Sequence, residues 1–557
     1  MFKISKLSIF QNWKRYLSLG ILSALLTSIP VIAAEKLFLI YGPLKLSLRV
    51  SSLELFAKEG TINKDLEFYL GKANPEQQAK FREALTEKAS VDPLLVSRFF
   101  NTEIGEDILQ RIGKGFTIEG GRNGEYALRG ALVQAALDPE EGLTLINFFE
   151  KLPVNIEFQG DLILEASKKF DLVILATKVF SEKIRDLTVE EVANNPPINF
   201  STMSDLRQPG PYGFQKETWQ LTDQSRNRKF YVDIYKPQQW REGKTPVVIA
   251  SHGLASNPAD FTEAGQHLAS YGYVVAIPQH PGSDSKYAED LRKGLVREVF
   301  DINEFINRPK DISYVIDELE RRNQSQFQGR LNLESIGVAG HSFGGYTALA
   351  IAGAEIDWQN LKAECNREYG ALNISLLLQC RALELPQEAY NLRDTRVKAV
   401  FAANPVNRAI FGQKGLSKIS IPVMLAAGSY DPATPFIFEQ GPTFPWLTTP
   451  DKYLAIVEGQ AHVNFAHLDG QMKKAINSVN SLTLPSPQLI GNYARSLQTA
   501  FFEVYIANNA QMRPYLQSSY AQYLSQDEEF KLDLITGASS DQWEQVIAEF
   551  RQEQDIE

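Results

Sequence analysis

Over roughly residues 213–480 one pattern repeats: a short, continuous apolar run, a helical stretch, then another run. Pro246–Ser251 reads P-V-V-I-A-S, and similar runs follow at Tyr273–Pro278, Ser335–Ala339, Val397–Ala402, Ile421–Ala427 and Tyr453–Val457. A run without polar alternation has to be covered on both faces. Runs of this kind separated by helices predict a mostly parallel, doubly wound α/β sheet. Phe214–Leu221 and Lys229–Tyr235 read as a β-hairpin ahead of it.

The chain has 557 residues, too many for one such core. From Glu35 to about residue 192 the pattern reads as helical, which predicts a small all-α domain over 35–192. Asn74-Pro75-Glu76-Gln77 supplies a cap, a first-turn proline and a capping box for a helix running to about Lys88. Ala127, Leu128, Ala131, Leu132 and Ala135 recur at helical spacing. Turn residues between Asn194 and Pro211 predict a linker over 193–212. Beyond 480 the chain reads as a helical extension to residue 557, clearest at Ile490–Asn508 and Met512–Leu524.

Lys3, Lys6, Lys14 and Arg15 precede an uncharged apolar run from Tyr16 to Ile32, then Ala33 and Ala34. This predicts a secretory signal over 1–34, cleaved after Ala33 or Ala34, and a periplasmic or secreted body. The alternative is an uncleaved N-terminal anchor, against which Pro30 interrupts a run already slightly short for a membrane span. The net charge is −10 and no stretch gathers lysine and arginine with aromatics, which argues against nucleic acid as a partner. The two cysteines, Cys365 and Cys380, lie close together and are expected to pair in an oxidising compartment. No further ligands of suitable spacing flank them, so no zinc site is expected.

Gly340-His341-Ser342-Phe343-Gly344 follows one predicted strand and opens a helix of small residues. A serine lifted on so tight a turn is exposed to a base above the sheet. Its hydroxyl becomes a nucleophile only when a base removes the proton and a third group orients that base. In α/β-hydrolases the order is serine, acid, histidine. The chain offers Asp431 in Gly428-Ser429-Tyr430-Asp431-Pro432 after one strand and His462 in Gly459-Gln460-Ala461-His462 after the next. His467 is the rival base. Ser251-His252-Gly253-Leu254-Ala255 ends the first buried strand, where this fold presents a backbone N–H to substrate; its partner is the N–H after the nucleophile. Leu254 and Phe343 are therefore the expected oxyanion donors. His252, His280 and His341 are expected at the cleft without serving as the base. The insertion over about 354–396, which holds both cysteines, is expected to form a lid.

Three segments carry a resemblance: Ser251–Leu254, Tyr271–Ser285 (Y-G-Y-V-V-A-I-P-Q-H-P-G-S-D-S) and Gly340–Gly345. Over roughly 210–480 the chain resembles the platelet-activating-factor acetylhydrolase family, serine lipases of the α/β-hydrolase superfamily that release short or oxidised acyl chains from phospholipids. Where that family takes its acid from the loop one strand earlier, this chain has Ala403-Asn404-Pro405, so the acid is displaced to Asp431. The region before residue 190 resembles an uncharacterised domain found ahead of bacterial α/β-hydrolase domains. The resemblance implies hydrolysis of a carboxylic ester, short-acyl or phospholipid-like, through an acyl-enzyme, with no metal and no cofactor. The expected partner is an ester or lipid-like small molecule; peripheral membrane contact and docking of the helical domain on a protein stay open. The alternatives are a dienelactone-hydrolase-like or polyester-cleaving enzyme, and an envelope binding module with a vestigial hydrolase domain.

Overall fold

The computed structural model describes residues 33–367, 373–462 and 484–555, so the signal segment up to residue 32 and the rival His467 lie outside the described residues. The chain divides into two compact units, one of residues up to 96 and 109–163, the other of 97–108 and 164 onward.

The first unit is not all helical. Strands β1 (Lys36–Tyr41), β2 (Leu44–Arg49), β3 (Phe116–Ile118), β4 (Arg122–Asn123) and β5 (Ile156–Gln159) form a sheet of order β2-β1-β5-β3-β4. Leu44, Leu46 and Leu48 alternate with Lys45, Ser47 and Arg49, a period of two that favours a half-covered strand over a helix. Gly42, at φ +51°, makes the turn from β1 into its antiparallel partner β2. The helices read from sequence are present beside it, including Pro75–Thr86 with its Asn74–Gln77 capping box and Glu125–Leu137.

The second unit holds a nine-stranded sheet. Its strands are β6 (Phe214–Asp223), β7 (Arg228–Pro237), β8 (Thr245–Ser251), β9 (Val274–Pro278), β10 (Leu331–His341), β11 (Val397–Ala403), β12 (Val423–Gly428), β13 (Lys452–Val457) and β14 (Leu532–Thr536), in the order β14-β13-β12-β11-β10-β8-β9-β7-β6. Strands β8 to β13 pair in parallel, and antiparallel β7–β6 and β14 close the two edges. Each apolar run feeds both layers: Val247 and Ile249 of β8 enter one core, Val248 and Ala250 the other. That is why these strands read without polar alternation.

Two expected boundaries shift. Helix Gly160–Asn194 buries Ala176, Phe180, Ile184 and Leu187 in the core of the second unit, so the division falls near residue 163 and not at 193–212. Within 193–212, Phe200 and Leu206 are themselves buried. The C-terminal extension contributes β14 as well as helices Pro487–Tyr505 and Ser540–Glu553, because Leu532 and Leu534 extend the sheet beside β13.

The insertion forms helices Trp358–Cys365 and Ile374–Arg381, joined by a disulfide between Cys365 and Cys380. Buried Glu439 ties it down: the carboxylate accepts from Asn373, Ser375 and Gln379 of the insertion (2.8, 2.6 and 2.9 Å) and from the amides of Asn407 and Arg408 (3.0 and 2.9 Å). Among the described residues no helix is long and apolar enough to cross a membrane.

Candidate active site

Ser342 sits at the carboxyl end of β10 with φ 58° and ψ −119°, a backbone conformation unfavourable for any residue with a side chain. The flanking glycines allow it. A Cβ on Gly340 would lie 2.0 Å from the Gly344 carbonyl oxygen, and one on Gly344 2.0 Å from that of Ser251. The turn holds because the Ser342 amide donates to Ala403 O (3.0 Å) and its carbonyl accepts from Tyr346 (3.1 Å) and Val406 (3.3 Å). Helix Phe343–Ala352 begins at once, so the Phe343 N–H is one of the donors a helix leaves unpaired at its start.

The other two candidates follow neighbouring parallel strands, β12 and β13, at the same sheet edge. Their loops are tied together: Tyr430 N donates to Gln460 O (3.0 Å) and Gly459 N to the Ser429 hydroxyl (2.9 Å). The result is a line of hydrogen bonds. Ser342 Oγ lies 2.8 Å from His462 Nε2, and His462 Nδ1 lies 2.7 Å from Asp431 Oδ2. Asp431 is buried, while the His462 ring keeps a solvent-reachable edge with 16% of its side chain exposed.

Among the described residues the other hydrogen-bond partners of Asp431 also donate to it. Oδ1 accepts from the amides of Ala433 (2.8 Å) and Thr434 (2.9 Å), and Oδ2 from the Thr434 hydroxyl (2.7 Å) and from Asn404 Nδ2. Burial alone pushes this carboxyl up. The His462 hydrogen bond and charge, with the Thr434 and Asn404 donors, outweigh it and hold the group at about 2. Asn404, in the loop after β11, thus serves as a donor to the Asp431 carboxylate. Thr434 was not singled out in the sequence; its signal is the spacing of Asp431-Pro432-Ala433-Thr434, in which the aspartate accepts from the amides two and three residues on.

The loop after β8 borders the serine, since a Cβ on Gly253 would lie 3.3 Å from Ser342 Cβ. Its orientation is set from below by Arg308, which is fully buried. Arg308 donates Nη1 to His252 O (2.6 Å), Nη2 to Gly253 O (3.2 Å) and Nε to Ser283 Oγ (2.8 Å), and its guanidinium lies 4.4 Å from the Phe343 ring centre. In a trans peptide the N–H points opposite to the C=O. Turning the Gly253 carbonyl toward Arg308 therefore turns the Leu254 N–H away from it.

His252 and His280 do not line the cleft; both are fully buried behind this loop. His252 Nε2 accepts from the His280 amide (3.1 Å) while Nδ1 meets Gly253 O (2.8 Å). His280 spans Asp311 Oδ2 and Ser251 Oγ, each at 3.0 Å. Each ring is enclosed by fixed polar partners in the core, so burial, and next the nearby Arg308, keeps both neutral. His341 does flank the site, its ring 4.7 Å from that of His462 and its Nε2 2.8 Å from His462 O. Burial, and then the neighbouring His462, hold it at about 4.

Behind the loop three guanidiniums, Arg226, Arg228 and Arg308, meet three carboxylates, Asp223, Glu304 and Asp311. This cluster was missed in the sequence. Its signal is Glu304, Arg308 and Asp311 at i, i+4 and i+7 of one helix, the spacing of a single face, interleaved with apolar Phe305 and Ile312. Among the described residues no group of three or more His, Cys, Asp or Glu side chains is arranged to hold a metal ion.

Residues 33–159 match the family described as alpha/beta hydrolase of unknown function (DUF1400), a stretch spanning the sheet of the first unit. Residues 204–366 match the chlorophyllase family and carry β6 to β10, the loop after β8 and the turn at Ser342. No curated protein matches the chain significantly. The parallel sheet, the serine on its glycine turn and the two family matches lead to one conclusion: the chain has the α/β-hydrolase fold, and its similarities are to hydrolases.

Proposed function

We propose that this protein is an exported serine hydrolase that cleaves carboxylic esters through an acyl-enzyme. The observation that carries the reading is the unbroken line from Ser342 Oγ to His462 Nε2 (2.8 Å) and from His462 Nδ1 to Asp431 Oδ2 (2.7 Å). As Ser342 Oγ attacks the ester carbonyl carbon, His462 Nε2 takes its proton and Asp431 stabilises the imidazolium. The oxyanion of the tetrahedral intermediate is met by the N–H groups of Leu254 and Phe343. His462 then hands the proton to the leaving alkoxide, the C–O bond breaks, and water attacks the acyl-enzyme with His462 again as base.

The apolar run Tyr16–Ile32 behind four basic residues and the Cys365–Cys380 disulfide support export. The likeness of the loop after β8 and the turn at Ser342 to acetylhydrolases favours short-acyl or phospholipid-like esters. The match of residues 204–366 to chlorophyllase favours a second substrate reading, and chlorophyll belongs in the same panel. The decisive experiment is labelling by a fluorophosphonate probe with rates over nitrophenyl esters, short-chain phospholipids and chlorophyll. Wild-type protein should label at Ser342 and turn over an ester; Ser342→Ala should do neither while melting normally. Turnover retained in a folded Ser342→Ala protein rules this nucleophile out.

A further inference from the structure

A cavity of about 140 Å3 opens between helix Gly160–Asn194, the disulfide-linked insertion, helix Arg408–Leu416 and the C-terminal helix Ser540–Glu553. Its walls include none of Ser342, Asp431 and His462. They are apolar where Val173 and Phe180 face Leu376, Phe438, Ile547 and Phe550. Phe180 packs edge-on against Phe550 at 5.1 Å between ring centres, which fixes one side of the space.

The remaining wall is cationic and its charges do not cancel. Arg367, Arg408 and Arg551 line the cavity with Glu364 as the carboxylate among them, and Lys169, which pairs with Glu165 at 2.7 Å, lies on the facing helix. Glu364 already pairs with Arg408 at 2.9 Å and with Arg367 at 3.3 Å. Arg551 has no ion-pair partner among the described residues, and the Nε of Arg408 is buried without a hydrogen-bond partner among them. Burial first, then the positive field of Arg408 and Arg367, pulls the Arg551 guanidinium down from its usual value. A wall of this charge is complementary to an anion. An apolar void of about 150 Å3 can hold a benzene-sized body, and a planar guanidinium grips a carboxylate through two parallel N–H···O bonds.

We propose that this cavity is a binding site for a small amphiphilic carboxylate, with an apolar body about the size of a benzene ring against Phe180 and Phe550 and its anionic head on the Arg551 guanidinium, in the positive field of Arg408. The site is separate from the candidate catalytic line and does not depend on it.

Benzoate is the probe, with benzamide as the neutral body of the same shape and acetate as the head without the body, each titrated calorimetrically into the whole protein. Benzoate should bind about tenfold or more tighter than either control, since head and body both contribute. Arg551→Gln should weaken benzoate by about tenfold or more. Val173→Phe, which fills the space, should abolish its binding, and if that variant does not fold, Arg551→Gln carries the test. Ser342→Ala should bind benzoate as the parent does. The proposal is overturned by benzamide binding as tightly as benzoate, by benzoate indifferent to Arg551→Gln, or by no heat of binding at millimolar benzoate. Loss of binding in Ser342→Ala also overturns it, because the anion then sits at the serine.

Discussion

Replacing Asp431 by asparagine changes one atom and should silence the enzyme, and the hydrogen bonds around that side chain say why. Five donors converge on the carboxylate: the amides of Ala433 and Thr434 on Oδ1, and His462 Nδ1, the Thr434 hydroxyl and Asn404 Nδ2 on Oδ2. An asparagine has one acceptor oxygen. If that oxygen keeps the two amides, its NH2 group faces His462 Nδ1. The imidazole then relieves the clash by accepting at Nδ1, which puts its proton on Nε2, 2.8 Å from Ser342 Oγ. In that tautomer the histidine donates to the serine and cannot take its proton. The same substitution in serine proteases lowers kcat by about 10⁴, equivalent to about 5 kcal/mol of barrier. Steady-state hydrolysis of a nitrophenyl ester should show this loss in kcat with KM little changed, and fluorophosphonate labelling should slow in parallel. Because Asp431 is held at about 2, the parent should keep its carboxylate ionised at pH 6 and at pH 8, so protonation of this group should not narrow the deficit at either pH. A folded Asp431→Asn protein within tenfold of parental kcat refutes the assignment.

Arg308→Met removes the two hydrogen bonds that fix the loop after β8 and a third to Ser283, and leaves Glu304 without that partner; it should lower stability by about 3–5 kcal/mol. It should also lower kcat by about 10²-fold through the Leu254 donor, and an unchanged kcat in the folded variant refutes this role. His267 is held at about 4, first by burial and then by Arg495. It stays neutral in the fold but takes a proton when unfolded below its ordinary 6.5, so its stabilising contribution is complete above that value and is lost as pH falls toward about 4. His267→Phe should therefore flatten stability against pH by about 1.4 kcal/mol per unit within that window, read from denaturant midpoints at pH 5 and 7; an unaltered slope refutes the linkage. Glu439→Gln offers one acceptor where two oxygens now serve five donors, and should cost about 3 kcal/mol of stability measured by urea unfolding; a loss within error refutes the hub.

The parallel sheet was legible in the sequence because its strands are buried on both faces and sit between helices. Pro246–Ser251 needs no neighbour to declare itself. Ser342, Asp431 and His462 were legible for a related reason: each falls just past the carboxyl end of such a strand, and the structure brings them into hydrogen-bond contact. The strands of the first unit were missed because β3 and β4 span only Phe116–Ile118 and Arg122–Asn123, too short for a period to show. In β2 the alternation Leu44-Lys45-Leu46-Ser47-Leu48-Arg49 was available, and only the helical pattern around it masked the signal. Strand β14 was hidden between helices, and its pairing with β13 is long-range, which no local pattern reveals.

The polar hubs were illegible for a different reason, and it bears on how the site is held. Arg308 and Glu439 are charged residues that sequence reading assigns to a surface, yet both are fully buried. Each binds segments that the sheet alone does not position. Arg308 fixes the carbonyls of the loop after β8, and Glu439 joins the insertion to the start of helix Arg408–Leu416, eight residues after Asp431 in the chain. Strand pairing brings the ends of β8, β10, β12 and β13 to one edge, but it leaves the peptide planes beyond those ends free to rotate. A buried charge cannot be satisfied by water, so it holds its partners in one geometry or destabilises the fold. The serine turn is fixed by glycine packing, the acid by its five donors, and the loop beside the serine by a guanidinium from the helix behind it. What these positions share is a fixed direction, the property a hydrolase needs where charge develops on a carbonyl oxygen.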